Sequence, residues 1–375
     1  VTGTVRYLDI HVLQTVPYAN LNRDDLGSPK TVAYGGAIRT RVSSQCWKRA
    51  VRVAVEERLG DPAVRTRRIA LELAIALRHD GWPDELADFA GKQVAAAAAG
   101  GLALEPGGET SVLLYLPARA LAQLQVLCAE HRDALAAGVG KPAGKKGDSV
   151  LATAHVNDII TSRNDIINLF GRMLAELPGS DVDGAVQVAH AFTTHVAEPE
   201  VDFFTAVDDW QHEQSRGSGH MNSAEFSAGV FYRYASVNLA DLTRNLGGDT
   251  AGAAQLAGAF LDAFITSMPA AKKNSTAPFT VPDLVYIAAR TDRPVSLAGA
   301  FEAPVRPPGD GGFAIRSRQN LNDYAGKVHK LLGGDGLRHH AHASTDEKAL
   351  DALGSRVDSY RQIVDDALAA AEQNS

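Results

Sequence analysis

Cysteine is scarce, long apolar runs are missing, and one stretch has no acidic side chain; each shortage excludes something. The 375-residue chain has two cysteines, Cys46 and Cys128, far apart and in no C-x-x-C pair, so thiolate zinc ligation and a disulfide framework are both excluded. A reducing cytoplasm suits such a chain. The longest apolar-rich run, residues 94–104, is alanine- and glycine-rich and about half as long as a bilayer crossing requires, so no membrane role is expected. No signal-peptide pattern stands at Val1, and the missing initiator methionine is what a processed or trimmed start would leave. P-loop, dinucleotide-binding glycine fingerprint and Gly-x-Ser-x-Gly elbow are also absent, and no cofactor is implied.

The missing acids matter most. Residues 26–55 contain no Asp or Glu but carry Lys30, Arg39, Arg41, Lys48, Arg49 and Arg52, in a chain of net charge −7. From Ser43 or Ser44, either a suitable N-cap, Trp47, Ala50, Val51 and Ala54 recur at three- and four-residue steps and mark a helix face for burial. Gln45, Lys48, Arg49 and Arg52 fall on the other face. Phosphate is the natural anion for such a helix start, with Ser43, Ser44 and Gln45 as donors beside it. On charge alone a solvated amphipathic face is the commoner explanation of such a pattern. The negative total disfavours indiscriminate binding to polyanions, so any nucleic-acid contact has to be confined to a patch.

With 45% hydrophobic and 22% charged residues, the chain reads as a soluble globular protein: a main domain with a sizeable insertion. Residues 4–16 alternate as a half-buried strand, a long loop at 17–36 follows, and then the basic helix. Residues 59–184 read as a helical insertion. Strand character returns at 185–194 and 226–237, helices follow from Asn238 and from Thr250 to Pro269, and another strand is expected at 279–289. With the inserts removed, two strand-helix-strand units remain. That is an α+β chain of ferredoxin-like, RNA-recognition-like arrangement.

Asp24 and Asp25 sit in an Asn/Gly/Pro loop, where paired carboxylates hold magnesium for phosphodiester cleavage or serve as turn and capping devices. The histidines at 339, 340 and 342 stand in glycine-rich sequence expected to be a mobile loop. The excursion from Thr193 to Glu225 is strongly acidic, yet carries Phe203-Phe204-Thr205, aromatics that could stack on bases or anchor the arm to the core.

Several blocks together resemble the CasC family, the backbone subunits of the type I-E CRISPR Cascade surveillance complex. They are Leu21-Asn22-Arg23-Asp24-Asp25, Tyr34-Gly35-Gly36, Arg41-Val42-Ser43-Ser44-Gln45 with Lys48-Arg49, Asp183-Gly184-Ala185, Ala189-His190-Ala191 with Thr193-Thr194-His195, Phe204-Thr205-Ala206-Val207-Asp208-Asp209, and Glu225-Phe226-Ser227 with the run from Gly229 to Ala235. The resemblance implies a palm in parts (1–58, 185–192 and 226–375), a helical fingers insertion at 59–184 and a projecting thumb hairpin at 193–225. Lys30, Ser43, Gln45, Lys48 and Arg52 would contact the guide RNA backbone, with Arg41 and Arg49 beside them. Ala37 stands where related sequences can carry a basic residue, so one phosphate contact is either absent or shifted to Arg39. Met173, after Arg172, would wedge between bases, and Phe204-Thr205 would sit at the thumb kink. Lys141, Lys145 and Lys146 are the candidates for target DNA. Implied partners are CRISPR guide RNA, target DNA, neighbouring copies of the chain, other Cascade subunits and a recruited helicase-nuclease. Cleavage is left to that last partner, so no enzyme activity is expected. The rival from another class is a metal-dependent endoribonuclease that cuts guide-paired RNA with Asp24 and Asp25.

Overall fold

A computed structural model describes residues 3–98, 101–140, 149–174, 177, 179–206, 220–307, 309 and 311–372. The elements run β1 (Tyr7–Ala19), β2 (Thr31–Tyr34), β3 (Ala37–Val42), α1 (Ser44–Leu59), β4 (Ala63–Thr66), α2 (Ile69–His79), α3 (Asp84–Ala97), β5 (Leu114–Pro117), α4 (Ala120–Glu130), α5 (Arg132–Gly138), α6 (Thr153–Ile160) and α7 (Asp165–Phe170). They continue with β6 (Val186–Val188), β7 (Ala191–Thr193), β8 (Glu200–Ala206), β9 (His220–Asn238), α8 (Leu239–Asn245), α9 (Thr250–Thr266), α10 (Lys273–Thr276), β10 (Leu284–Arg290), α11 (Ala314–Leu332), β11 (Leu337–Ser344), β12 (Ser355–Arg356) and α12 (Tyr360–Glu372). The chain divides into two compact units. One comprises Val1–Ala54, Val186–Ala240 and Thr250–Ser375; the other comprises Val55–Ala185 and Asp241–Asp249.

The first unit is built on one large sheet of order β12-β11-β10-β1-β9-β7-β3-β2, with β6 and β8 also paired to β9. Among the described residues, only its β11–β12 pairing is parallel. β1 is central, and its period-2 pattern buries both faces. Leu8, Ile10 and Val12 point one way, and Asp9, His11 and Leu13 point the other, all at most 1% exposed. Leu13, Tyr232 and Tyr286 pack with Leu321 and Ala325 of α11. Arg233, which alternates with Tyr232 on β9, reaches the opposite face and donates to the Phe264 carbonyl of α9. α12 packs against α9, β10 and β11. A sheet that stacks bases needs an open face; here helices cover both faces around β1, and any nucleic-acid contact has to lie elsewhere.

Three expectations change. The loop foreseen at 17–36 contains the end of β1 and β2, which pairs with β3 through a Gly35-Gly36 turn at φ 59° and 72°. Two successive positive φ values are what a tight two-residue hairpin demands. The strand expected at 185–194 is two short strands, β6 and β7. The histidines at 339, 340 and 342 lie on β11, an ordered strand in register with β10, not in a mobile loop. The glycines that suggested a loop lie just before it, where Gly333 and Gly334 take φ 77° and 78° to end α11.

The second unit packs α2 to α6 and the β4–β5 pair around Leu73, Ala87, Val94, Leu114, Leu124, Cys128, Val156 and Ile160. Asn164 caps α7 by accepting from the Ile167 N–H at 3.1 Å. Asn245 ties α8 to this unit by donating to the carbonyls of Asn168 and Asp183.

Candidate nucleic-acid interface

The basic window folds into a hairpin and a helix at one corner of the first unit. Trp47, Val51 and Val55 recur every four residues on α1 and are at most 1% exposed. Trp47 packs with Val16, Leu21, Val42 and Phe231, and the Arg233 guanidinium lies 3.8 Å from its ring centroid. That anchor fixes which face α1 turns outward. Gln45 and Arg49 are exposed on it, with Lys48 and Arg52 half-buried between them.

Ser43 is the N-cap: its Oγ accepts from the Cys46 N–H at 3.3 Å, and its own N–H donates to Asn22 Oδ1 at 2.9 Å. His190 Nδ1 accepts from the Ser44 N–H at 3.1 Å and from Arg41 Nη1 at 3.2 Å. An imidazole accepting twice at Nδ1 carries its proton on Nε2. Burial first, then the Arg41 charge, lowers the pKa of His190. The expected oxyanion cradle is thus partly filled by the protein, since Ser43 Oγ and His190 take donors a phosphate would use.

Lys30 joins this corner through the backbone: its N–H donates to the Asn22 carbonyl at 2.9 Å, and its carbonyl accepts from Arg41 at 2.7 Å. Lys30 and Arg49 both act electrostatically on the Cys46 thiol, whose pKa burial nevertheless raises. Lys30, Arg41, Gln45 and Arg49 therefore converge around the start of α1.

Arg39 does not join them. It is 0% exposed and donates to the carbonyls of Thr193, Phe301 and Glu302 at 2.9, 3.1 and 3.2 Å. The expected phosphate ligand is a buried clamp. The same correction applies to Arg172 in the second unit, 4% exposed, which donates to the carbonyls of Ser180, Ser162 and Thr161. Burial lowers its pKa to about 10. Met173 beside it is 84% exposed. Phe204 and Thr205 lie exposed on β8, and Phe203, at 73%, is more exposed than Phe204 at 44%. Neither ring anchors the hairpin to a core. Lys141, Lys145 and Lys146 lie outside the described residues.

Asp24 Oδ1 accepts from the N–H groups of Leu26 and Ser28, both at 2.9 Å, so this carboxylate closes its own loop. Among the described residues, no three His, Cys, Asp or Glu side chains converge as metal ligands, and no helix is long and apolar enough to cross a membrane. Asn22 and His190 are the contributors that charge and period could not reveal. Both are small local acceptors, and their only sequence sign is a place in the motif blocks.

Fold and site together define a two-unit α+β protein with a cationic corner at the start of one helix. The chain belongs to the CT1975-like protein family, whose model matches residues 8–368. It is 50% identical to a chain of a structure described as "CRISPR RNA-guided surveillance complex, pre-nicking", with a TM-score of 0.91 over 97% of this chain and 100% of that one. A chain of a second structure, "CRISPR RNA-guided surveillance complex", is 44% identical with a TM-score of 0.81 over 97% and 100%. No curated protein matches the chain.

Proposed function

We propose that the chain is a CasC-like, guide-RNA-binding backbone subunit of a type I-E Cascade complex, which polymerises along CRISPR RNA and presents it for pairing with target DNA in antiviral defence. The observation that carries this reading is the 50% identity, over 97% of the chain, to a chain of an RNA-guided surveillance complex. Lys30, Arg41, Gln45, Lys48, Arg49 and Arg52 hold guide phosphates. Such contacts set register without reading sequence, and specificity passes to base pairing with the guide.

The order β10-β1-β9-β6/β7, with α1 and α9 as the crossover helices, supports a ferredoxin-like palm. Residues 1–58, 185–192 and 226–375 then form the palm, 59–184 the fingers and 193–225 the thumb. Exposed Met173 wedges between bases, and Phe204-Thr205 marks the thumb kink. Other Cascade subunits, target DNA at Lys141, Lys145 and Lys146, and a helicase-nuclease complete the partners, in the cytoplasm. The chain performs no cleavage in this reading, and the use of Asp24 as a turn acceptor argues against a metal pair with Asp25.

The test is assembly on synthetic RNAs of increasing length, followed by mass measurement with magnesium present. The expected result is a copy number that rises stepwise with RNA length while the RNA stays intact. A copy number that does not depend on RNA would contradict the reading, and cutting abolished by Asp24→Ala would favour the nuclease.

A further inference from the structure

Two non-glycine residues among those described have left-handed backbone, Lys272 (φ 55°, ψ 14°) and Ala277 (φ 42°, ψ 54°), and they bracket the single turn of α10. A β-carbon makes this conformation unfavourable, and such residues persist only where their surroundings enforce them. Here the enforcement is local. The hydroxyls of Ser275 and Thr276 donate to the Lys272 carbonyl at 3.1 and 2.9 Å, and the Ala277 N–H donates to the Lys273 carbonyl at 2.9 Å. Lys272 and Lys273 are exposed on this turn, neither ion-paired among the described residues.

The turn's position gives it a partner. Just before it, Met268 packs against the Trp47 cluster that anchors α1. Ala271 lines an open hollow of about 560 Å³ together with Asn22, Asp24, Leu26 and Cys46, so the lysines follow directly on the wall of a depression beside the start of α1. Just after the turn, Phe279 is 70% and Val281 65% exposed, while Gln14 Nε2 holds the Thr280 carbonyl at 2.8 Å. Exposed cations followed by a bare aromatic ring are what single-stranded nucleic acid takes, with phosphates on the ammonium groups and a base on the ring. Asp24 and Asp25 line the hollow too, and their charge would repel phosphate, which favours a backbone path on the lysine side.

We propose that residues 272–281 are a second guide-RNA contact, in which Lys272 and Lys273 hold phosphates at the hollow beside α1 and Phe279 stacks on a base. The proposal rests on the guide-RNA reading above. Its test is the salt dependence of oligouridylate binding by the full chain, comparing Lys272→Gln/Lys273→Gln with Lys48→Ala/Arg49→Ala. Two lost phosphate contacts flatten the log–log slope by about 1.4, at about 0.7 per contact. Phe279→Ala weakens binding at unchanged slope, and Phe279→Trp restores it. If the Lys48/Arg49 variant flattens the slope while the Lys272/Lys273 variant matches the parent, the second contact is overturned and the guide-RNA reading stands. If the parent does not bind RNA, both fall.

Discussion

Arg39 and Arg49 are the same residue type ten positions apart in one acid-free stretch, yet one is structural and the other available to a ligand. The difference is set by what surrounds each guanidinium. Arg39 meets three carbonyls from two distant segments, whereas Arg49 meets solvent. Neither partner segment is near Arg39 in sequence, so nothing in the residue pattern could separate the two roles. Arg39→Ala is expected to cost about 2–4 kcal/mol in urea unfolding, since a buried guanidinium and its carbonyl bonds are lost together. Arg39→Lys should recover little, because one ammonium cannot reproduce a planar fork. The slope of RNA binding against salt should be unchanged in any variant that folds, which separates a clamp from a phosphate ligand.

At the scale of elements, α1 was legible because cap, period and charge agree on one helix. β1, β9 and β10 were legible from alternation or continuous apolar sequence. The β2–β3 hairpin was not, because four- and six-residue strands full of Thr, Ala and Arg carry little apolar signal. Gly35 is its constraint: a β-carbon there would lie 1.6 Å from the Glu302 carbonyl oxygen, on a backbone at φ 59°. Gly35→Ala should lower stability by about 2 kcal/mol or more, measured by thermal unfolding, through clash and strain together. The opposite sign is expected at Lys272, where Lys272→Gly removes a left-handed penalty and should raise stability by about 1 kcal/mol. β11 is hidden by the glycines just before it, although His342 is buried and His340 borders Tyr286.

The whole molecule keeps a buried polar cluster under α11, and its titration sets how stability follows pH. Burial, then Arg290 and His329, pushes His11 down to about 3; burial, then His340 and Arg290, pushes His329 down to about 4. Histidines below their ordinary 6.5 contribute stability that is complete above that value and lost as pH falls toward their folded values. Asp9 acts in the other direction. Burial raises it to about 6 against hydrogen bonds from Ser236 and Val295, so its contribution is complete below 3.8 and lost as pH rises through 6. His340, lowered mainly by burial, adds to His11 and His329, so these histidines outweigh one aspartate; stability should rise from about pH 4 to about pH 6.5 in urea unfolding, with His329→Gln flattening the rise.

Net charge was readable at this scale and it misleads about partners, because −7 over the chain conceals a cationic corner that only folding assembles from Lys30, Arg41 and α1. The role proposed for this corner is to bind RNA through phosphates, irrespective of sequence. The direct measurement is log affinity against log salt for two RNAs of unrelated sequence, with the parent chain and the Lys48→Ala/Arg49→Ala/Arg52→Ala variant. Equal weakening on both RNAs is expected, with a slope flatter by about 2, from three contacts at about 0.7 each. An unchanged slope, or a loss confined to one RNA, would contradict it.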